Sequence, residues 1–328
     1  MLIRQIRDII ESSYRAMGIS IHRSCSFCLM TFPYASFSPD NFEEHIISLI
    51  KMAKHDSLRP YVDYSTSSIQ HIKQMSKLQL ALQQDVLHGM EHFRVVIQPV
   101  VDAMSGKILG GEVLLRWNFE GRDISPAIFI PILEKNNMIH LAGRWVFERA
   151  VRNCVRLISY IPDLYLTFNV SLLQLSDPEF TDIMKSILDK CHLDGSHIVA
   201  EVTESFLDEQ PENLNRFVDM CSQMGIRIAL DDFGSGYSSL RMLLRYPCSI
   251  IKLDRSLLEE MTDSNRKLEF IRSIVYACHQ FGKKVCMEGV ENSEQNAIIQ
   301  DAGCDMIQGF YHYRPMELSN LYHLLSTL

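Results

Sequence analysis

Two hydrophobic periods alternate along most of the chain. From Phe93 onward, short runs dense in β-branched and aromatic residues recur: FRVVIQPVV, ILGGEVLLRW, LYLTFNVS, HIVAEVTE, IRIALDDF, SIIKLD, KKVCMEGVE and DMIQGF. Each has the length and composition of a buried strand. From the second run onward, segments with helical periodicity separate most of them, such as AGRWVFERAVRNCVRLISY and LEFIRSIVYACHQFG. Strands alternating with helices predict a parallel sheet, and eight of them predict an α/β fold closed as a (β/α)8 TIM-like barrel. The first two runs are joined only by DAMSGK, too short for a helical crossover. A hairpin there sets the first strand antiparallel to the second.

Upstream, the pattern predicts a small α/β segment. Apolar residues at helical spacing run from Leu2 to Met17, and Gly18 is a natural stop. A strand is expected over Cys25–Phe32. PDNFEEHIISLIKMAKH then reads as a helix with a capping box, Asp40 or Asn41 facing a glutamate three residues on. The polar stretch DYSTSSIQHIKQMSK leads into a helix, LQLALQQDVLHGM. The domain boundary is expected there, with residues 1–77 forming the upstream segment and linker and 78–328 the barrel.

Composition narrows the class. No apolar run approaches the roughly 18 residues that span a bilayer, and Arg4, Arg7 and Asp8 interrupt the start where a signal peptide would be apolar. The nine cysteines are odd in number and scattered through apolar runs, which suits free thiols in a reducing, cytoplasmic compartment. A net charge of −8 argues against a nucleic-acid polymer as partner, but leaves room for a small phosphate ligand held by cations.

Candidate chemistry gathers at the ends of the strands. Glu112, Asn169, Glu201, Asp231, Asp232, Lys252, Glu288 and Gln308 all fall in or near the C-terminal halves of their runs. Barrel enzymes carry their chemistry at that end. Any one such residue reads equally well as a loop-facing polar group, whereas a nearly complete set does not. Glu112, Asn169, Glu201 and Asp231 offer three carboxylates and an amide oxygen, hard donors that suit Mg²⁺ or Mn²⁺ better than zinc. The adjacent pair Asp231 and Asp232 becomes tolerable if Asp231 bridges two ions and Asp232 holds the second. Lys252 adds positive charge, and Glu288 is a candidate base.

These residues carry a resemblance. From about Leu78 to its end the chain resembles the EAL-domain cyclic di-GMP phosphodiesterases. GGEVLLRW matches E-x-L-x-R-W, and FNVS, EVTES, DDFGSGYSSL, IKLD, EGVE and QGF follow in family order. The resemblance implies hydrolysis of cyclic di-GMP to linear pGpG with two metal ions. It implies that Glu112, Asn169, Glu201, Asp231 and Asp232 form the metal set, with Lys252 and Glu288 supporting the attacking water. Gln98, Arg116 and Gln308 would hold substrate, and Glu291 would lie near a guanine. The loop Phe233–Leu240 resembles the family's mobile loop, with Glu204 as its anchor, and family members of this kind pair as homodimers. Three positions depart from the pattern: Val113 and Met287 replace alanines, and Tyr313 replaces a small residue before Arg-Pro. None removes a ligand. The upstream segment more distantly resembles the C-terminal half of a GGDEF domain, through SFCLMTFP and MAKHDSLRPYVDY, without that family's signature.

Rival signals are weaker. His88–His92 fits the H-x-x-E-H pattern of a metalloprotease group, but no third ligand is identifiable. DFG at Asp232–Gly234 lacks the other kinase motifs, and GSGYSS lacks the third glycine of a dinucleotide fingerprint. The serious alternative to catalysis is a non-catalytic cyclic di-GMP receptor on the same barrel.

Overall fold

The computed structural model describes residues 66–203, 211–234, 247–259 and 264–327, with short pieces at 5–6, 9, 27–29, 46–47, 49–50 and 62–63. The chain divides into two compact units, Met1–Leu82 and Gln83–Leu328. In the first, Cys28–Leu29 pairs in parallel with Val62–Asp63. Residues 5–6 and 9, and 46–47 and 49–50, are helical. The rest of what the sequence predicts upstream of Val62 lies outside the described residues.

Helix α1 (Thr66–Leu87) begins well before the expected start at Leu78. The polar stretch read as a linker is helical from Thr66. Ile69, Ile72, Met75, Leu78, Leu82 and Val86 recur at three- and four-residue spacing, a stripe that the intervening serines obscure. Leu78, Leu82 and Val86 are buried.

All eight expected strands are present. They are β1 (Phe93–Asp102), β2 (Ile108–Phe119), β4 (Tyr165–Asn169), β5 (Ile198–Thr203), β6 (Arg227–Phe233), β7 (Ile250–Leu253), β8 (Lys284–Met287) and β9 (Met306–Ile307), and a further strand, β3 (Arg122–Ile124), pairs with the end of β2. The sequence reading missed β3, which has three residues and a polar pattern. Positive φ at Glu120 and Gly121 makes the tight turn that starts it.

The sheet runs β1-β9-β8-β7-β6-β5-β4-β2 and closes through β1–β2 pairing. β1 is antiparallel to both neighbours, as the short DAMSGK connection requires. The other barrel pairs are parallel. Helices α2 (Pro126–Lys135), α3 (Ile139–Leu157), α4 (Leu172–Leu175), α5 (Pro178–Cys191), α6 (Pro211–Gln223), α7 (Ser256–Glu259), α8 (Ser264–Gln280), α9 (Ser293–Asp301) and α10 (Leu318–Thr327) accompany it. Outward-facing strand residues such as Val113, Phe168, Ala200, Leu230 and Ile251 share the large core cluster with Phe147, Phe180 and Val275 from the helices. This two-sided burial explains why the strands read as nearly continuous apolar runs.

Candidate active site

The alternation of the strands builds the site. Inside the barrel, Val100, Tyr165, Val199, Ala229, Ile250, Cys286 and Met306 form one apolar layer. At Gly110 of β2 an added Cβ would lie 2.5 Å from the Tyr165 carbonyl oxygen, so this layer closes only around a glycine. Two residues further towards the rim, the same face of each strand carries Gln98, Glu112, Thr167, Glu201, Asp231, Lys252, Glu288 and Gln308. Register agrees: Gln98 stands opposite Glu112, Glu112 opposite Thr167, Asn169 opposite Glu201, Thr203 opposite Asp231, and Cys286 opposite Lys252. A ring of polar groups therefore lies directly on an apolar floor. Thr167 belongs to this ring and was not singled out in the sequence. Counting back two positions from Asn169 would have found it.

Lys252 is the centre of the ring, and only 3% of its surface is exposed. Its Nζ lies 2.6 Å from Glu288 Oε1, 2.8 Å from Glu201 Oε1, 3.3 Å from Glu112 Oε2 and 3.3 Å from Asp231 Oδ1. Burial pushes the ammonium towards neutrality, but the surrounding carboxylates outweigh it and hold its pKa well above the ordinary value. Glu112 is also supported by donors: the Asn169 amide gives Oε1 a hydrogen bond at 2.7 Å, and the Gln308 amide gives one to Oε2 at 2.7 Å. Burial raises its pKa, and Lys252 with these two amides brings it below the usual carboxylate value.

One ammonium does not satisfy four carboxylates. Both oxygens of Glu201 and Oδ1 of Asp231 are buried without a hydrogen bond among the described residues, although Lys252 is close enough to pair with them electrostatically. Burial drives the Glu201 pKa well up, with Glu112, Asp231 and Glu288 adding to it. Burial likewise raises Glu288, to about 8, against the opposing pull of Lys252. Orphaned buried oxygens of this kind need a further positive partner. The donor set, all carboxylate and amide, fits a hard divalent cation.

The aspartate pair owes its geometry to the backbone. Simple alternation would send Asp231 and Asp232 to opposite faces. Instead Asp232 has φ 57°, and the β6–β7 register shifts between Leu230 and Phe233. Aspartate tolerates this left-handed conformation better than most residues. Carboxylate oxygens of Asp231, Asp232 and Glu288 consequently lie within 4.8 Å of one another, a cluster able to hold a cation. Burial raises Asp232, with Asp231 and Asp254 adding to it.

A cavity of about 210 Å³ opens beside this cluster, lined by Gln98, Glu112, Leu114, Arg255, Glu288, Gly289, Glu291, Gln308, Gly309 and Phe310. It brings together the predicted substrate residues Gln98, Glu291 and Gln308. Gln308 also donates to the Gln98 side chain at 3.3 Å, and Gln98 to the Tyr313 carbonyl at 3.3 Å. Arg116 does not line this cavity. It lines a neighbouring one of about 530 Å³, along with Asn169 and apolar residues of α2 and α3. The sequence reading missed Arg255 and Phe310 as cavity residues. Their signal was position alone, immediately after IKLD and within QGF. Glu204 and the loop beyond Gly234 lie outside the described residues. His88 and His92 are committed elsewhere, His88 to the Gln84 carbonyl and His92 to Asp85, and they do not form a metalloprotease site.

A closed (β/α)8 barrel with a lysine-centred acidic ring at its C-terminal rim is the arrangement of a barrel enzyme. The chain belongs to the EAL-domain family, whose model, described as "EAL domain", matches residues 76–315. MucR of Pseudomonas aeruginosa, named a bifunctional diguanylate cyclase/cyclic di-GMP phosphodiesterase, is 34% identical over 247 residues, covering 74% of this chain and 36% of MucR. RocR of the same organism, named a cyclic di-GMP phosphodiesterase, is 31% identical over 247 residues, covering 74% of this chain and 63% of RocR. Among solved structures, the PaMucR phosphodiesterase in complex with c-di-GMP superposes with a TM-score of 0.69 at 32% identity, over 74% of this chain and 99% of that one. The chain thus spans about a third of MucR and under two thirds of RocR.

Proposed function

We propose that the protein is a metal-dependent phosphodiesterase that hydrolyses cyclic di-GMP to linear pGpG. The observation that carries this reading is the buried ring itself. Four carboxylates and one ammonium, with orphaned oxygens, stand beside a cavity lined by amide donors. The names of MucR and RocR support the substrate.

In this reading Glu112, Asn169, Glu201, Asp231 and Asp232 hold two Mg²⁺ or Mn²⁺ ions. The ions, when bound, supply acidified water and charge neutralisation for in-line displacement at phosphorus. Lys252 keeps its ammonium beside Glu112 and Glu201 and fixes the orientation of both. Glu288, whose carboxylate lies within 4.8 Å of those of Asp231 and Asp232, takes the proton of the attacking water. Gln98 and Gln308 hold the phosphodiester, Arg116 reaches the substrate from the neighbouring cavity that it shares with Asn169, and Glu291 lies near a guanine. A new P–O bond forms to the water oxygen as its proton passes to Glu288, the bond from phosphorus to the ribose 3′-oxygen breaks, and that oxygen takes a proton from solvent water to become the 3′-hydroxyl of pGpG.

The test is product analysis with purified protein, cyclic di-GMP and either Mg²⁺ or EDTA. Formation of pGpG that EDTA abolishes is the expected outcome. Tight binding with no turnover in Mg²⁺ or Mn²⁺ would instead establish a receptor. We further propose a homodimer, tested by light scattering, with Glu204 anchoring the loop Phe233–Leu240. The upstream unit is proposed to be a partial GGDEF-like segment. Seven free cysteines among the described residues, six of them buried, support a reducing, cytoplasmic setting. Among the described residues no helix is long and apolar enough to cross a membrane.

A further inference from the structure

We propose that Ser171 and Glu134 are positioning residues for Asn169: their hydrogen bond holds the turn that aims the Asn169 amide oxygen at the metal. The inference rests on the phosphodiesterase reading above, from which it takes Asn169 as a ligand.

Asn169 is the last residue of β4, and its pairing with Glu201 ends the β4–β5 register. Its Nδ2 already donates to Glu112 Oε1 at 2.7 Å. That bond leaves Oδ1 as the side-chain atom able to meet a cation. It fixes the amide at one point only, so the direction of Oδ1 also depends on the backbone at a strand end. One more ladder-like bond follows, from the Val170 N–H to the Glu201 carbonyl at 3.0 Å. Beyond it the strand pairing no longer holds the chain.

Ser171 takes over from there. It caps α4 from an extended conformation, with φ −83° and ψ 148°. Its N–H donates to Gln174 Oε1 at 3.0 Å, and its Oγ accepts from the Leu173 N–H at 3.4 Å. This capping box closes the turn on itself. The hydroxyl proton ties the turn to the rest of the barrel: Ser171 Oγ donates to Glu134 Oε1 at 2.7 Å. A hydroxyl bonded to a carboxylate makes one of the stronger side-chain hydrogen bonds. Glu134 lies in the last turn of α2, whose Phe129 and Leu133 are fully buried. Gln174 is 2% exposed, and a Cβ on Gly143 of α3 would lie 2.0 Å from its Nε2. The turn after Asn169 is therefore held by α2 through Glu134 and packed against α3 through Gln174.

Glu134 and Ser171 also line the cavity of about 530 Å³ that Asn169 and Arg116 share. Direct contact with substrate is thus the rival role, and the two roles separate cleanly. A substrate contact acts on KM, whereas a positioning pair acts on the metal. Removing a partner that orients a metal ligand costs roughly 10- to 100-fold in metal affinity or activity.

The experiment is a titration of the full chain with Mn²⁺ alone, followed by electron paramagnetic resonance, with folding checked by thermal melting in EDTA. Ser171→Ala and Glu134→Leu are expected to weaken Mn²⁺ binding about tenfold or more, while Ser171→Thr and Glu134→Gln, which keep a donor and an acceptor, stay within about threefold. The double variant Ser171→Ala, Glu134→Leu is expected to be no worse than the weaker single one, because the pair acts as a unit. KM for cyclic di-GMP at saturating Mn²⁺ should stay near wild type. A raised KM with unchanged Mn²⁺ affinity overturns the proposal in favour of substrate contact. Unchanged Mn²⁺ affinity with a lowered melting temperature overturns it too, because the cap is then structural only. Equal loss in the Thr and Ala variants removes the hydroxyl from the argument and has the same force. In an Asn169→Ala chain, Ser171→Ala should weaken Mn²⁺ binding little further; a second full loss would show that the effect does not pass through Asn169. Wild-type protein that binds Mn²⁺ but releases no pGpG sinks the phosphodiesterase reading alone, and the Mn²⁺ series still decides the positioning role. Wild-type protein that binds no Mn²⁺ rejects that role.

Discussion

The Lys252 ammonium stands 2.6 Å from the Glu288 carboxylate, at the point where β7 and β8 bring two buried ionic groups side by side. Lys252 is also shared with Glu112, Glu201 and Asp231. It is the cation about which the acidic ring is assembled. Removing it leaves carboxylates buried without their partner, which costs about 3–5 kcal/mol in comparable buried pairs. Lys252→Met is expected to melt well below wild type in EDTA and to recover much of the difference in excess Mg²⁺. Identical melting of the two proteins in EDTA would contradict the central role assigned to Lys252.

Asp231 belongs to the proposed metal set. Asp231→Asn keeps the shape and removes the charge, so the fold should survive while hydrolysis falls at least about a thousandfold, equivalent to roughly 4 kcal/mol of transition-state stabilisation. Turnover of cyclic di-GMP near the wild-type rate would remove Asp231 from the metal set.

Asp232 makes a separate, conformational prediction. Its φ of 57° is available to asparagine but not, without strain, to a β-branched residue. Asp232→Asn should melt at or above wild type, since it also removes a carboxylate that burial and Asp231 disfavour, whereas Asp232→Val should lose about 1–2 kcal/mol or more. Chemical denaturation of both variants checks this, and equal stability would mean that the bulge relaxes freely.

Calcium should separate binding from catalysis. The oxygen donors accept it, but Ca²⁺ takes more ligands at longer distances, about 2.3–2.6 Å against about 2.0–2.1 Å for Mg²⁺. Cyclic di-GMP is expected to bind in Ca²⁺ without being cleaved, and Ca²⁺ titrated against Mg²⁺ should inhibit. Equal pGpG production with Ca²⁺ alone would rule this out.

A pH effect is expected at Asp177, which caps α5 and lies 2.8 Å from Arg144 Nη2 and 3.3 Å from His140 Nδ1. Burial raises its pKa, but Arg144 and the cap hydrogen bond bring it below the ordinary carboxylate value. A depressed folded pKa adds stability above the unfolded value of about 3.9, and that stability is lost as pH falls through the folded pKa. Asp177→Asn should therefore be less stable than wild type at pH 7, and the gap should close below about pH 4. A gap independent of pH would assign the effect to the cap instead.

Much of the barrel was legible because burial on both faces leaves a strong local signal. Each of the eight strands lies within or nearly within its expected run, and the antiparallel β1 followed from the shortness of DAMSGK. The helix α1 was read too short because its apolar stripe is diluted by serines. β3 was missed because three polar residues pair only through their neighbour.

The sequence by itself determined which residue types end the strands, because period-2 alternation above an apolar layer puts Glu112, Glu201, Asp231 and Lys252 on one inner face. Tertiary structure alone decided how they meet. The Lys252–Glu112 contact spans 140 positions and depends on the closure of the sheet. The left-handed turn at Asp232 reverses what alternation predicts for that side chain. The separation of Arg116 from the cavity of Gln98 and Gln308, and the arrival of Arg255 and Phe310 in it, follow from how the loops beyond the strands pack. Alternation is a property of the local backbone, whereas convergence is set by register and loop packing between segments far apart in the chain.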